Sequence, residues 1–383
     1  MKSVTEFKLY VYICITMPIL RRIVVQDFRN IRLAELEFSP NINCISGGNG
    51  EGKTNLLDSI HYLSMTKSAF SASDKYNFRH GTDSFSIAGN YIMDNGLESK
   101  FTVKVKSDGE KKIRRDDKQY DRVSEHIGAL PVVMINPSDS SMINESGEER
   151  RRFTNAVLSQ ISSNYLSDIQ QYNRLLSQRN KLLKEGLGNM ELIAVYDMKM
   201  SDAADRIYRA RKRFAEDLNP IVKNYYTELS GAQEEVSIKY CSDLDSGSLA
   251  DLLAKSREKD YTYKYTTVGI QRDDLIFSMD GHPIRRCGSQ GQQKSFIVSL
   301  KFAQYDIMKN NYGFAPILLL DDVFDKLDID RIANLLSMVA GQEFGQIFIT
   351  DSNKVRMSGI VDRITENRAY FEAEGGNFKT AEV

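Results

Sequence analysis

Cysteine and histidine are both scarce, with four of each in 383 residues. Cys14, Cys44, Cys241 and Cys287 stand far apart, without a C-x-x-C pair or a histidine at ligand spacing, so no zinc site is suggested. They read as reduced thiols of a cytoplasmic protein. His61, His80, His126 and His282 are equally scattered and offer no Ser/His/Asp triad. An excess of one charge is also missing: 51 Lys and Arg face 52 Asp and Glu, a net charge of −1. That excludes a wholesale polycation, so any nucleic-acid surface must be a local patch. Tyr10 to Leu20 is mostly apolar but too short to span a bilayer, and it ends in Arg21-Arg22 rather than a small-residue cleavage site. No membrane partner is expected. Met17-Pro18-Ile19-Leu20 makes a more natural start, and residues 1–16 read as an upstream extension.

What is present is an ordinary globular composition, 41% hydrophobic and 27% charged, over a length that suits two or three domains. Within it, Gly47-Gly48-Asn49-Gly50-Glu51-Gly52-Lys53-Thr54 fills the G-x-x-x-x-G-K-[ST] pattern of a phosphate-binding loop. Ile42 to Ser46 before it is extended, and Leu56, Leu57, Ile60 and Leu63 after it keep helical spacing, which is the context the motif needs. Glycines let the backbone curl around a β-phosphate, and the positive end of the following helix favours the anion. Lys53 is placed for the β- and γ-phosphates, Thr54 for Mg²⁺, and Asn55 is counted with the same nucleotide-binding set.

Around this loop the pattern is that of an α/β protein. Ile23-Val24-Val25 and Leu33, Leu36 and Phe38 predict two opening strands. Phe85 to Ile113 alternates with period two around Asp108-Gly109, which predicts an antiparallel sheet. From Glu148 to Leu218 the period turns helical, with one helix either side of Gly186-Leu187-Gly188-Asn189. A third helix is expected from Pro220 to Leu229, and strands at Val236 to Tyr240 and Tyr261 to Val268. The expected division is 17–145 and 263–383 as two parts of one head, with 146–262 as a helical insert.

Ile317-Leu318-Leu319-Leu320-Asp321-Asp322 reads as a buried parallel strand with a charged tip. Asp321 is then a Mg²⁺ residue and Asp322, with Lys53, a catalytic one that orients or deprotonates water. Taken alone, the same run could be any buried strand ending in acidic loop residues. Gly288-Ser289-Gln290-Gly291-Gln292-Gln293-Lys294, opening a helix upstream, decides between them. Together with Leu327-Asp328, this series resembles the signature, Walker B and D-loop segments of ABC-type ATPases. The resemblance implies that Ser289, Gly291 and Gln292 of one copy meet the ATP held by another, making an ATP-dependent homodimer.

The match is more specific than that. Asp27-Phe28-Arg29-Asn30, Asn55-Leu56-Leu57-Asp58, Glu149-Arg150-Arg151-Arg152-Phe153, Tyr172-Asn173-Arg174, Gln178-Arg179-Asn180, Arg272-Asp273-Asp274 and Leu320-Asp321-Asp322-Val323 resemble the RecF family of recombination and repair proteins. That family implies an ABC-type head with a helical insert, and ATP and Mg²⁺ as cofactors. Its implied partners are double-stranded DNA, single-strand/double-strand junctions, and RecO and RecR, with which it loads RecA in DNA repair, recombination, replication and the SOS response. The chain departs from the family at Ile270-Gln271, at Thr154-Asn155 and at Asp325-Lys326. After Ile347-Phe348-Ile349 it reads Thr350-Asp351, without the switch histidine of transporter ATPases. Asp322 is one methylene shorter than the frequent Glu, which implies slow turnover. An ATP-switched scaffold with negligible hydrolysis, and a divergent SMC-like ATPase with other partners, are the rival readings.

Candidate DNA contacts are Lys111, Lys112, Arg114 and Arg115 on the head, and Arg150, Arg151, Arg152 and Arg179 on the insert. Arg174, Lys181, Lys184, Arg206, Arg209, Arg211, Lys212 and Arg213 extend the basic helices. Phosphate contacts of this kind give salt-dependent, sequence-tolerant affinity. The alternatives are a solvated helix face, or a triple arginine that pairs with acids and holds the insert to the head.

Overall fold

The computed structural model describes residues 17–93, 95–186, 190–231, 234–324, 344–353 and 365–381, with 331, 334, 335, 338, 359, 361 and 362. In chain order, β1 (Ile19–Phe28), β2 (Ile31–Glu37) and β3 (Ile42–Ser46) lead into α1 (Lys53–Met65). Then come β4 (Ser84–Ile92), β5 (Glu98–Lys106), β6 (Lys111–Arg115), β7 (Lys118–Gln119) and β8 (Val132–Ile135). Helices α2 (Ser141–Asn144), α3 (Gly147–Ile161), α4 (Ser163–Glu185) and α5 (Met190–Ser230) follow, then β9 (Val236–Cys241) and α6 (Leu249–Tyr263). The chain continues through β10 (Asp274–Met279), β11 (His282–Pro283), α7 (Ile284–Cys287), α8 (Gln290–Tyr312), β12 (Ile317–Asp321), β13 (Ile347–Asp351), β14 (Arg368–Glu374) and β15 (Asn377–Thr380).

The central sheet runs β15-β14-β3-β13-β12-β8, all parallel except the β14–β15 pair. Strands β3, β13 and β12 and the edge strand β8 are buried at every residue, as expected of parallel strands covered on both faces. Alternate residues of β12 serve different cores. Leu318 and Leu320 join the cluster built on α8 and the insert, whereas Ile317 and Leu319 join the one built on α1 and the antiparallel sheet. That second sheet is ordered β2-β1-β4-β5-β6-β7, with the predicted turn at Asp108-Gly109 between β5 and β6.

Register brings the carboxyl ends of the parallel strands side by side. Asp321 pairs with Thr350, Thr350 with Ile45, and Asp351 with Ser46. Ligands of open α/β sheets gather at this edge, and the segment after β3 carries the phosphate-loop sequence there.

Two local expectations fail. Pro220 does not start a helix but lies inside the 41-residue α5. Proline in a helix interior removes one backbone hydrogen bond. Here Leu218, Val222 and Tyr226 on either side of it are buried in the same core, so tertiary packing carries the helix through. Tyr261 to Val268 is not a strand: α6 ends at Tyr263, and Lys264 takes a left-handed conformation with φ 60. Beyond the expected insert boundary, β9 pairs with β10 across residue 262. The expected Leu187-Gly188-Asn189 break, Leu327-Asp328 and residues 1–16 lie outside the described residues.

Arg179 is not a DNA contact. Its side chain is 0% exposed, with Nε 2.6 Å from Asp197 and Nη1 2.8 Å from Asp260 and from Thr266 Oγ1. It ties α4, α5, α6 and the segment after α6 together. Arg179→Ala would leave two buried carboxylates without their cation, a loss of roughly 3–5 kcal/mol. Urea unfolding should read a destabilisation of that order; a change below about 1 kcal/mol would mean the site relaxes or hydrates without it.

Candidate nucleotide site

The loop between β3 and α1 has the backbone that phosphate binding requires. Gly47 sits at φ 153 with its α-carbon against the Ala373 carbonyl, where a Cβ would come within 2.5 Å. Gly52, at φ 105, faces the Asn30 amide, and a side chain there would crowd it. Helix α1 begins at Gly52 with no side-chain cap and no acid in its first turn. Its first N–H groups and dipole are therefore available to an anion.

Lys53 is 5% exposed, and its Nζ donates to the Gly47 and Gly48 carbonyls, both at 2.9 Å. The ammonium is thus held over the loop. Thr54 Oγ1 donates to both oxygens of Asp321, at 2.9 and 3.0 Å, joining two residues 267 apart in sequence. Asp321 is 2% exposed and also accepts from Thr350 Oγ1 at 2.7 Å. Burial pushes its carboxyl above the ordinary range, against the pull of the two threonine hydroxyls. A hydroxyl and a single carboxylate are hard oxygen donors that suit Mg²⁺, which completes its shell with phosphate oxygens and water. Among the described residues no cluster of three or more His, Cys, Asp or Glu forms a metal cage.

Asp322, the next residue, has φ 45, and its N–H donates to Thr350 Oγ1 at 3.1 Å. Its carbonyl accepts from Lys294 Nζ at 3.3 Å, a link between this strand tip and the first turns of α8. Ser289 caps α8 reciprocally with Gln292: the hydroxyl accepts from Gln292 N at 3.2 Å, and Gln292 Oε1 accepts from Ser289 N at 2.7 Å. Gln292 Nε2 then donates to Glu234. Ser289 and Gln290 are exposed and Gly291 half-buried, so this turn faces outward.

The supporting residues were less visible in the sequence. Thr350, next to last in β13, donates to the Asp321 carboxylate and accepts from the Asp322 N–H, a role that only the strand register discloses. Arg29, itself at φ 53, donates to Asn55 Oδ1 at 3.0 Å and pairs with the buried Asp58 at 2.9 Å. Asn55 donates to Asn30, and Asn30 to the Gly50 carbonyl. From the far end of the chain, Gly375 N–H donates to the Glu51 carboxylate and Gly376 N–H to the Glu51 carbonyl. Asp27-Phe28-Arg29-Asn30 drew notice only through family resemblance, and nothing in the sequence marked Gly375-Gly376.

The candidate DNA cations fare differently. Arg150 binds Asp274 with both Nε and Nη2, at 2.7 and 2.8 Å, and Arg151 donates to the Asp273 carbonyl at 2.9 Å. These two hold α3 to β10, as the pairing alternative expects. Arg211 is buried on Asp273 at 2.5 Å and is likewise no phosphate contact. Arg152 is exposed but paired with Glu148 and Glu149 of its own helix. Lys111 turns to the inner face of its sheet, 2.8 Å from both Asp74 and the Thr66 carbonyl. Lys112 remains on the outer face, 2.6 Å from Glu110.

Asp321→Asn separates the cost of this carboxylate from its use. Because burial raises its pKa, the stability conferred by the protonated form is complete below the ordinary 3.8 and is lost as pH rises through the raised value. The variant without nucleotide should therefore melt above wild type at pH 7, and the gap should close towards pH 3.5. Added Mg²⁺ and ATP should raise the melting temperature of wild type alone. A variant that gains as much from them would remove Asp321 from the metal site.

Comparison with known proteins agrees with the geometry. A family model described as the RecF/RecN/SMC N terminal domain matches residues 19–369. The DNA replication and repair protein RecF of Phocaeicola vulgatus is 41% identical over 360 residues, covering 94% of this chain and 97% of that protein. RecF of Parabacteroides distasonis is 40% identical over 364 residues, 95% of this chain and 100% of the relative. Among solved structures, the recombination mediator protein RecF bound to ATP in the RecFOR pathway superposes with a TM-score of 0.86 at 29% identity, covering 96% of this chain and 98% of that one. An Smc head domain of Pyrococcus furiosus, at 15% identity and a TM-score of 0.57, shares the fold. The parallel sheet, the phosphate loop and the helical insert are thus those of an SMC-type ATPase head, and this chain belongs to the RecF family of DNA replication and repair proteins.

Proposed function

We propose that the protein is a slow, DNA-stimulated ATPase that dimerises on ATP, binds duplex DNA and gap junctions, and works with RecO and RecR to load RecA. The observation that carries this reading is the hydroxyl–carboxylate pair of Thr54 and Asp321, set beside a helix N-terminus left uncapped. It is half of a Mg²⁺–ATP site. The other half is the outward-facing first turn of α8, whose Ser289, Gly291 and Gln292 would meet the γ-phosphate held on a second copy. Once the two copies close, Lys53 neutralises phosphate charge and Asp322 orients the attacking water and takes its proton. RecFOR in the description of the ATP-bound relative supports RecO and RecR as partners.

A transporter subunit is less well supported, since Thr350-Asp351 follows β13 where transporter ATPases carry their switch histidine, and the matching relatives are DNA replication and repair proteins. The ATP-switched scaffold is the rival that a single substitution separates.

Light scattering with and without ATP should register a shift from one copy to two, and Lys53→Met should abolish it. A mass indifferent to ATP would remove the signature role from Ser289 to Gln292. Asp322→Asn should keep ATP affinity and slow turnover by roughly a hundredfold or more. Unchanged residual turnover would favour the scaffold.

A further inference from the structure

The antiparallel sheet carries positive charge that nothing in the nucleotide site uses. Its register sets Ser86, Lys104 and Lys112 in one row across β4, β5 and β6, and Ala88, Thr102 and Arg114 in the next. Lys100 lies opposite Asn90, one further step along. Side chains alternate across a strand, and Phe101, Val103, Val105 and Ile113 fill the inner face, so these rows point outward. Lys100, Lys104 and Arg114 are all exposed.

Two features separate this patch from an ordinary solvated surface. Lys104 stands directly opposite Lys112, and like charges in that position destabilise a sheet. Glu110 at the hairpin relieves Lys106 and Lys112, at 2.5 and 2.6 Å, but among the described residues no carboxylate pairs with Lys100, Lys104 or Arg114. Between them lie only small side chains, Ser86, Ala88 and Thr102, so the cations rise from a flat floor. Glu98 is the one acid in the same row of β5, at its far end.

A small phosphorylated ligand needs donors converging on a hollow, which a flat sheet does not provide. Flatness and spaced cations suit an extended polyanion. Lys100 and Lys104 are four residues apart on β5, a span of about 13 Å. Duplex DNA presents a charge about every 1.7 Å of its axis, so roughly eight phosphates pass over that length.

We infer that the outer face of β4, β5 and β6 is a track for the phosphodiester backbone of duplex DNA, contacted by Lys100, Lys104 and Arg114. The inference rests on the DNA-binding reading above and gives it a surface in place of the arginines that proved buried or paired. Such contacts are indifferent to base sequence and sensitive to salt.

The test compares wild type with a Lys100→Gln/Lys104→Gln/Arg114→Gln variant, each with ATP and Mg²⁺, on a mixed-sequence 30-base-pair duplex over a range of salt. A second variant, Lys184→Gln/Lys255→Gln/Lys259→Gln, removes the same charge elsewhere. The sheet variant should bind at least tenfold more weakly at low salt, and its plot of log affinity against log salt should flatten by about 0.9 for each lost contact. Its melting temperature and its affinity for a fluorescent ATP analogue should stay those of wild type. If wild type binds no duplex in any nucleotide state, the DNA reading fails and this surface with it. If wild type binds and the sheet variant keeps the same slope, or the second variant loses as much, the surface is wrong while the DNA reading stands. Polyglutamate displacing the duplex at equal charge concentration would assign the face to an acidic protein instead.

Discussion

One buried carboxylate organises the head. Asp321 sits at the tip of β12, out of water, with hydroxyls of two other segments donating to it: Thr54 from the start of α1 and Thr350 from the end of β13. A carboxylate so placed is costly without a cation or a full set of hydrogen bonds. The same constraint aligns the phosphate loop, the candidate metal residue and the candidate base. The site is therefore arranged around a group whose comfort depends on what binds there.

Around that point, support comes from polar links rather than apolar packing. Arg29, Asn30 and Asn55 brace one side of the phosphate loop through their side chains, and the β14–β15 turn reaches Glu51 on another. Further out, Arg150, Arg151 and Arg211 fasten the insert to β10 and the segment before it through Asp273 and Asp274. The carbonyl of Asp322 bonds Lys294 of α8, which packs along α5. The candidate nucleotide site, the first turn of α8 and the insert are thus joined by a short series of hydrogen bonds and by the packing of α8 on α5 and α3.

What the sequence disclosed follows from how local each signal is. The phosphate loop was legible because all its chemistry lies in eight consecutive residues, and β12 because a doubly buried strand is a run of apolar residues ending in acid. Alternation exposed the antiparallel sheet. Burial of charge was not legible: Arg179 and Arg211 sit on helices with the same basic texture as exposed Arg209 and Arg213, and only their carboxylate partners, distant in sequence, distinguish them. Pro220 misled for a related reason, since the packing that holds α5 together across it is non-local. Thr350 carries no motif at all; register alone gives it a role.

The strand order also bears on how the protein is made. A ribosome releases the phosphate loop early, yet β13 and β14, which flank β3, are among the last elements translated. The Thr54–Asp321 link spans 267 residues and the Glu51–Gly375 link 324. A nascent chain stalled anywhere before β13 therefore carries the glycine-rich loop without its neighbours on the sheet. The strands that flank β3, and the Gly375 and Gly376 N–H groups that hold Glu51, therefore reach the glycine-rich loop only after β13 and the β14–β15 turn have been made.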